Sequence, residues 1–461
     1  MTLTSSLITE LLADLAEIDA GGPVWVAYSG GMDSHLLLQL AVDAGLNQQG
    51  RLRAVHIDHG LNPAAADWAV HCRSVCDDLK IELQCFQIEL EGGAGLENRA
   101  RQARYRIFES LLAAGGVLLQ GHHADDQAET LLLRLMRASG VRGLAAIPRS
   151  RQLGRGRLLR PLLRRSRAEL QHQAQQQGLR WINDPSNADT VHDRNFLRAE
   201  VVPALVRRWP QAVPTLGRSA DNCADALRLT EDLAALDIEG CWQEADRYHD
   251  RELKIDALAA LPDYRRFNLL RFWLQRRAGL LPDDAVLTRL WQQLVSARDD
   301  AQPLIEMDGW LLRRFDGALY LLNPAWNTLS EAASPIKWYV DVHSASDMIF
   351  AGGRLDAKPA VGAGLLLPAG ACVRVMLRQG GERICLPGRV GSRSLKKLLQ
   401  QQRLAPWIRR RLPLLFVDDE LVAVAGFWIA EGWQAAPDQQ GIVFDWQPLS
   451  PLVDDGCEGD F

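Results

Sequence analysis

The segment Ser29-Gly30-Gly31-Met32-Asp33-Ser34 follows the short apolar run Val24–Tyr28 and leads into an apolar-periodic stretch from His35 to Ala44. A strand, a tight turn and a helix in that order make a phosphate cradle. The glycines let the backbone come close to an anion, and the first helical N–H groups point at it along the positive end of the dipole. Ser29 and Ser34 can add hydroxyl donors. The turn lacks the Gly-Lys-Ser/Thr ending of a Walker A loop, and it lacks the dinucleotide fingerprint. Gly-Gly alone would be an ordinary turn; the whole hexapeptide in this setting points to phosphate.

A second cluster lies in Gly121-His122-His123-Ala124-Asp125-Asp126-Gln127-Ala128-Glu129-Thr130. Asp125 and Asp126 stand four and three positions before Glu129, so one helix face can present all three carboxylates. Such a face could hold Mg2+ or an ammonium group, or take a proton from an amine. The competing role is to offset the helix dipole in a first turn. His122, Asp58 and His59 sit at strand ends, where they could line a nucleotide pocket or serve as structural hydrogen-bonders. Arg101, Arg104 and Tyr105 form an i, i+3, i+4 stripe able to grip phosphate or stack a base. Arg194 and Arg198 are spaced i, i+4, and guanidinium geometry suits phosphate.

These residues need a scaffold, and the patterning supplies one. Residues 3–20 read as an amphipathic helix closed by Gly21 and Gly22. Strands are expected over 24–28, 53–57, 82–89 and 117–120, each followed by a helix, over 35–44, 64–79, 96–114 and 124–139. That alternation predicts an α/β fold with a doubly wound parallel sheet, whose ligands sit beyond the carboxyl ends of the strands. After Pro203 the chain reads as mostly helical over 215–248, 263–278 and 283–297. The turns Asp308-Gly309 and Asp316-Gly317 then punctuate strand-like runs. The expected organisation is a catalytic domain over 1–214, a helical substrate-binding domain over 215–325, a linker region over 326–368, a small mixed α+β domain over 369–448 and an acidic tail over 449–461.

The 461 residues exceed what one core usually supports. The net charge of −5 argues against nucleic acid, but its distribution argues for it. Residues 142–167 hold nine arginines and residues 383–411 hold nine Lys or Arg, with no acid in either run. Two such patches suit a long polyanion, against the plainer reading of solvated faces. No apolar stretch approaches the ~18 residues of a membrane span, since Leu414–Ala430 is broken by Asp418, Asp419 and Glu420. Scattered cysteines and an acidic N-terminal helix predict a reduced, cytoplasmic protein.

The stretch Val26-Ala27-Tyr28-Ser29-Gly30-Gly31-Met32-Asp33-Ser34 resembles the pyrophosphate loop (PP-loop) of the N-type ATP pyrophosphatases, whose sheet is Rossmann-like. The resemblance implies that Ser29, Gly30, Gly31, Met32, Asp33 and Ser34 bind ATP, with Asp33 on Mg2+. An ordered set of motifs narrows it: His56–Leu61, Glu97–Arg101 with Arg104-Tyr105, Gly121–Thr130, Asp184–Asn187 and Asp193–Arg198. Together with Pro387-Gly388, Ser394–Lys397 and Pro413-Leu414, this set is similar to the tRNA(Ile)-lysidine synthases in their longer, three-domain form. His192 departs from the aromatic residue expected there.

That family implies a two-step reaction. The wobble cytidine of a CAU-anticodon tRNA(Ile) is adenylated by ATP, free L-lysine displaces AMP, and codon meaning shifts to AUA. The implied catalytic residues are Asp33, Asp125, Asp126, Glu129 and Arg198. Asp58, His59 and His122 join the ATP site, and Arg101, Arg104, Tyr105, Arg194, Lys396, Lys397, Arg409, Arg410 and Arg411 meet tRNA. The rival readings are a PP-loop tRNA thiolase and a non-catalytic tRNA-binding protein. Intact loop residues oppose the second, and no cysteine beside the motifs supports the first. The oligomeric state is open.

Overall fold

The computed structural model describes residues 3–18, 21–58, 60, 65–88, 96–183, 192–243, 247–248, 252–295, 303–323, 334–368, 370–389 and 391–449. The chain forms two compact units, Met1–Leu229 and Thr230–Phe461.

The first unit is built on β1 (Val24–Ala27), β2 (Leu52–Asp58), β3 (Glu82–Gln87), β4 (Val117–Leu119), β5 (Ser150–Leu153) and β6 (Gly156–Leu159), in the order β3-β2-β1-β4-β6-β5. The neighbours from β3 to β6 pair parallel. Only β5 runs antiparallel, as the outer half of a hairpin with β6. The expectation of a parallel sheet therefore holds for its centre and misses this edge. The hairpin turns at Gly154, whose φ of +55° favours glycine, and it buries Leu153, Leu158 and Leu159.

Alternation along β1 explains why both faces are covered. Val24 and Val26 enter one core with Leu7, Leu11 and Leu15 of α1 (Leu3–Glu17), Leu36 and Leu40 of α2 (Met32–Asp43), Cys72 and Cys76 of α3 (Ala65–Asp78), and Leu170 of α7 (Arg167–Gln176). Trp25 points the other way, to Phe108 of α4 (Leu96–Leu111). Burying each such leucine contributes roughly 1.5–3 kcal/mol. Helices α5 (Ala124–Met136) and α6 (Val141–Leu144) follow β4. Further on, α8 (Asp193–Phe196) passes through a π-helical turn at Leu197–Val201 into α9 (Val202–Arg208). Pro203 has no N–H to return to Ala199, so the ladder re-registers just ahead of it.

Helix α10 spans Ala212–Cys241. In the second unit, α11 (Ile255–Ala260), α12 (Asp263–Ala278) and α13 (Asp284–Val295) pack Leu258, Leu269, Trp273 and Leu290 against Leu253, Leu312 and Leu319 of a sheet. That sheet orders β7 (Trp242–Gln243), β8 (Glu252–Lys254), β11 (Ala318–Leu322), β10 (Trp310–Phe315) and β9 (Leu304–Met307). Both Asp-Gly turns lie where expected, between β9 and β10 and between β10 and β11.

The stretch read as a linker corrects that expectation. It contains β12 (Ile336–Tyr339), β13 (Ser346–Phe350) and β14 (Gly353–Val361). β12 pairs with β15 (Cys372–Met376), and β14 pairs with β21 (Gln440–Pro448) over nine positions. Glycine and alanine here allow close strand approach: a Cβ on Gly353 would lie 2.3 Å from the Trp446 indole. The C-terminal core continues through β16 (Arg383–Cys385), β17 (Ser392–Ser394), β18 (Leu414–Val417), β19 (Glu420–Val424) and β20 (Trp428–Ile429). The acidic tail from residue 450 lies outside the described residues. No helix among the described residues is long and apolar enough to cross a membrane.

Candidate nucleotide and catalytic site

Helix α2 begins at Met32, three residues earlier than its apolar periodicity predicts, so Asp33 and Ser34 belong to its first turn. Gly31 is the N-cap and offers no side chain, which leaves the first helical N–H groups for an anion. Ser29 Oγ lies 3.0 Å from Ser34 Oγ and accepts from Gly31 N at 3.4 Å, while Ser34 Oγ donates to the Gly31 carbonyl at 3.0 Å. The two hydroxyls thus stiffen the turn. Gly30 has φ +81°, and a Cβ there would lie 2.6 Å from Ile182 Cδ1 and 3.0 Å from Cys72 Sγ. Only glycine fits. Its carbonyl accepts from Ile182 N at 2.9 Å, which straps the turn from above β1.

The sheet order β3-β2-β1-β4 reverses direction between β1 and β4, where doubly wound sheets open a crevice. A cleft of about 250 Å3 lies there, lined by Ser29, Gly31, Asp33, Arg104, Gln120 and His122 among others. Gly121 lets β4 approach α2, since a Cβ there would sit 3.0 Å from the Asp33 carbonyl. Asp33 Oδ1 is buried without a hydrogen-bond partner. Burial raises its carboxyl pKa, and the neighbouring His123, Arg167 and Arg198 oppose that only in part. A buried, unpartnered carboxylate oxygen beside a phosphate cradle fits a hard divalent cation.

His123 caps α5: its Nδ1 accepts from Asp126 N at 3.4 Å, and Asp126 Oδ2 accepts from His123 N at 3.0 Å. Three carboxylates surround the ring, at 3.8 Å (Asp33), 3.6 Å (Asp125) and 3.5 Å (Asp126). Burial would lower its pKa, but the bond to Asp125 and the charges of Asp126 and Asp33 outweigh burial and raise it. The two demands on Nδ1 exclude each other. The neutral ring accepts from Asp126 N, and the protonated ring donates to Asp125 instead.

The three acids of α5 do not form one open cluster, which corrects the expectation from their spacing. Asp125 accepts from Arg167 N at 2.7 Å. Asp126 and Glu129 are instead clasped by two guanidiniums. Arg194 reaches Glu129 Oε2 and Asp126 Oδ1, both at 2.8 Å. Arg198 donates to Glu129 at 2.7 and 2.9 Å and to Asp126 at 3.2 Å. Glu129 is only 1% exposed. A carboxylate buried that deeply needs paired charge, which Arg194 of α8 and Arg198 of the π turn supply. Arg194, expected on tRNA, is therefore engaged in the acid pair.

The stripe on α4 divides likewise. Arg104 lines the cleft rather than an outer surface. The Tyr105 ring is covered by Arg151 at 4.9 Å, Arg101 at 5.0 Å and Arg104 at 6.0 Å, and packs on Phe108. Its faces are not open to stack a base, because arginines of the β5–β6 hairpin and α4 cover them. Asp58 ends β2, and its carboxylate accepts from Gly60 N at 2.8 Å. His59 lies outside the described residues. His122 is at the cleft, and burial with nearby arginines pushes its pKa down to about 3 despite Asp126.

Neither basic run is a uniform surface. In the first, Arg149 pairs with Asp14 at 2.6 Å, Arg165 pairs with Glu10, and Arg160 is 3% exposed. Arg160 is the site residue that sequence reading missed, because it stood among nine similar arginines. In the second, Lys396, Lys397 and Arg410 are exposed, and Arg409 is half-buried and donates to the Leu404 carbonyl at 2.5 Å. Arg411 is 2% exposed and donates to the Ala351 carbonyl, which corrects its expected place at a tRNA surface. Among the described cysteines, Cys72 and Cys76 are buried with thiols pushed up to about 12 by burial, which is unsuited to sulfur delivery.

Comparison with known proteins agrees with this geometry. The family model for a PP-loop domain matches residues 4–205, that for the TilS substrate binding domain matches 253–320, and that for the TilS substrate C-terminal domain matches 373–446. A tRNA(Ile)-lysidine synthase of Pseudomonas putida is 40% identical over 91% of this chain and 97% of its own length. The synthase of Pseudomonas aeruginosa is 41% identical over 98% of both chains. That of Coxiella burnetii is 37% identical over 95% of this chain and 96% of its own. With the PP-loop at the sheet's switch point and this identity along almost the whole length, the chain belongs to the tRNA(Ile)-lysidine synthase family.

Proposed function

We propose that the protein adenylates the wobble cytidine of CAU-anticodon tRNA(Ile) with ATP and Mg2+, then joins free L-lysine to it, releasing pyrophosphate and AMP. Family membership supports a ligase acting on tRNA. The observation that carries the finer reading is the cleft at the Ser29–Ser34 turn, with the unpartnered Asp33 oxygen on its wall. In this reading the uncapped N–H groups of α2 and the Ser29 and Ser34 hydroxyls hold the leaving pyrophosphate. Asp33 would hold Mg2+, which neutralises charge on the phosphates. Arg198 and Arg194 stand ready to balance negative charge at the reacting phosphate, in exchange with Asp126 and Glu129. Those carboxylates, once released, suit the ammonium groups of lysine. The attacking amine must shed a proton from an ordinary pKa of about 10.4, and in this reading His123, 3.6 Å from Asp125 and 3.5 Å from Asp126, takes it. Exposed Lys396, Lys397 and Arg410 serve the tRNA backbone.

ATP–pyrophosphate exchange tests the first step. Exchange that appears only when CAU-anticodon tRNA(Ile) is added supports base adenylation. Exchange driven by lysine without tRNA would replace it with an amino-acid-activating reaction.

A further inference from the structure

Behind the cleft wall lies a buried cation that neither phosphate binding nor tRNA contact explains. Arg160 follows the end of β6 and is 3% exposed. Its Nε donates to His122 Nδ1 at 3.2 Å, and its Nη1 donates to the Pro148 carbonyl at 2.7 Å. It also meets Tyr105, whose hydroxyl donates to Gln120 Oε1 at 3.4 Å. His122 and Gln120 both line the cleft. The guanidinium therefore backs His122 directly and Gln120 through Tyr105. A desolvated arginine persists only with such partners, and burial already lowers its own pKa.

The bond to His122 has a chemical consequence. Arginine has donors and no acceptor, so Nδ1 of His122 must be the unprotonated nitrogen. The ring proton then resides on Nε2. Burial first, and then the charged Arg160, Arg194 and Arg104 nearby, keep the imidazole from taking a second proton, against Asp126, which favours it.

We propose that Arg160 is a positioning residue that fixes His122 as the neutral Nε2–H tautomer, so that His122 offers one hydrogen-bond donor to an acceptor atom of the nucleotide in the cleft. This rests on the reading of the cleft as the nucleotide site. His122 is then a fixed donor that selects an oxygen or ring nitrogen at that point, and it neither moves a proton nor carries charge.

Histidine-selective 15N labelling of the full chain, read in long-range proton–nitrogen spectra, tests it, with His122 identified by loss of its signal in His122→Gln. The expected wild-type result is a neutral Nε2–H ring from about pH 5.5 to 8, with the Nε2 signal moving on addition of Mg-ATP. Arg160→Met should mix the tautomers and raise KM for ATP about tenfold, with kcat held within about threefold. Adding Arg160→Met to His122→Gln should raise KM no further. A wild-type ring protonated on Nδ1, or titrating near neutral pH, overturns the proposal without any variant. So does an unchanged tautomer in Arg160→Met. ATP binding that leaves the His122 signal unmoved removes the donor role alone, whereas absence of ATP binding removes the nucleotide reading itself.

Discussion

Arg198 grips Glu129 at two points, Nε to Oε1 at 2.7 Å and Nη2 to Oε2 at 2.9 Å, across 69 residues of sequence. The clasp joins the first turns of α5 to the π turn before α9, and Arg194 repeats it from one turn earlier. In the proposed reaction, nucleotide and lysine would compete for these charges. On that reading the ion pairs are a resting state, and the reaction would rearrange them.

Arg198→Lys keeps the charge and loses the fork. It should lower kcat about a hundredfold and change KM for ATP by less than about threefold, measured by single-turnover adenylation. An effect confined to KM would place Arg198 on ground-state binding.

Glu129→Gln leaves two guanidiniums with one carboxylate between them. Because Glu129 is buried while Arg198 is part-exposed, the loss of stability should be about 2 kcal/mol in urea unfolding. No loss would mean the arginines find water at no cost.

Asp33→Asn should abolish adenylation and raise the melting temperature of the ligand-free protein by about 2 °C. The sign follows from its raised carboxyl pKa: the folded state favours the neutral form, and the charged form costs stability once pH rises through that pKa. A destabilised variant would contradict the unpartnered state of its oxygen.

His123 works in the opposite direction to Asp125 and Asp126. Its raised pKa contributes stability that is full below the ordinary 6.5 and is lost as pH rises through the folded value. Lowered pKa values for Asp125 and Asp126 contribute stability above 3.8, lost as pH falls through their folded values. The stability gap between wild type and His123→Gln should thus narrow from pH 6 to pH 9, read by thermal melts. A gap that widens would reverse the assignment.

The exposed C-terminal cations should separate from the buried one. Lys396→Ala, Lys397→Ala and Arg410→Ala should each weaken tRNA binding and reduce the log–log salt slope by about 0.8. Arg411→Ala should lower stability and leave that slope unchanged. Equal slopes for all four would put tRNA elsewhere.

The contrast between Arg410 and Arg411 also shows where sequence reading stops. The phosphate turn was readable because strand, turn and helix lie within about twenty contiguous residues and each step obeys local rules. The fate of Arg411 depends on the Ala351 carbonyl, 60 positions away, and no periodicity announces that partner. For the same reason the spacing of Asp125, Asp126 and Glu129 suggested one shared carboxylate face, but not the arginines that close Asp126 and Glu129, 65 to 72 positions on, nor the Arg167 N–H that holds Asp125. The missed strands β12 to β14 have a different cause. Glycine, alanine and proline lower strand propensity, and long-range pairing with β15 and β21 overrides it.

Transfer of labelled lysine to tRNA(Ile) transcripts, with ATP and Mg2+, tests the central claim most directly. Label should enter a transcript with cytidine at the wobble position, fail to enter one with uridine there, and vanish with Asp33→Asn. Lysine that stays free while the transcript is adenylated, or label that enters the uridine transcript equally, would contradict the account.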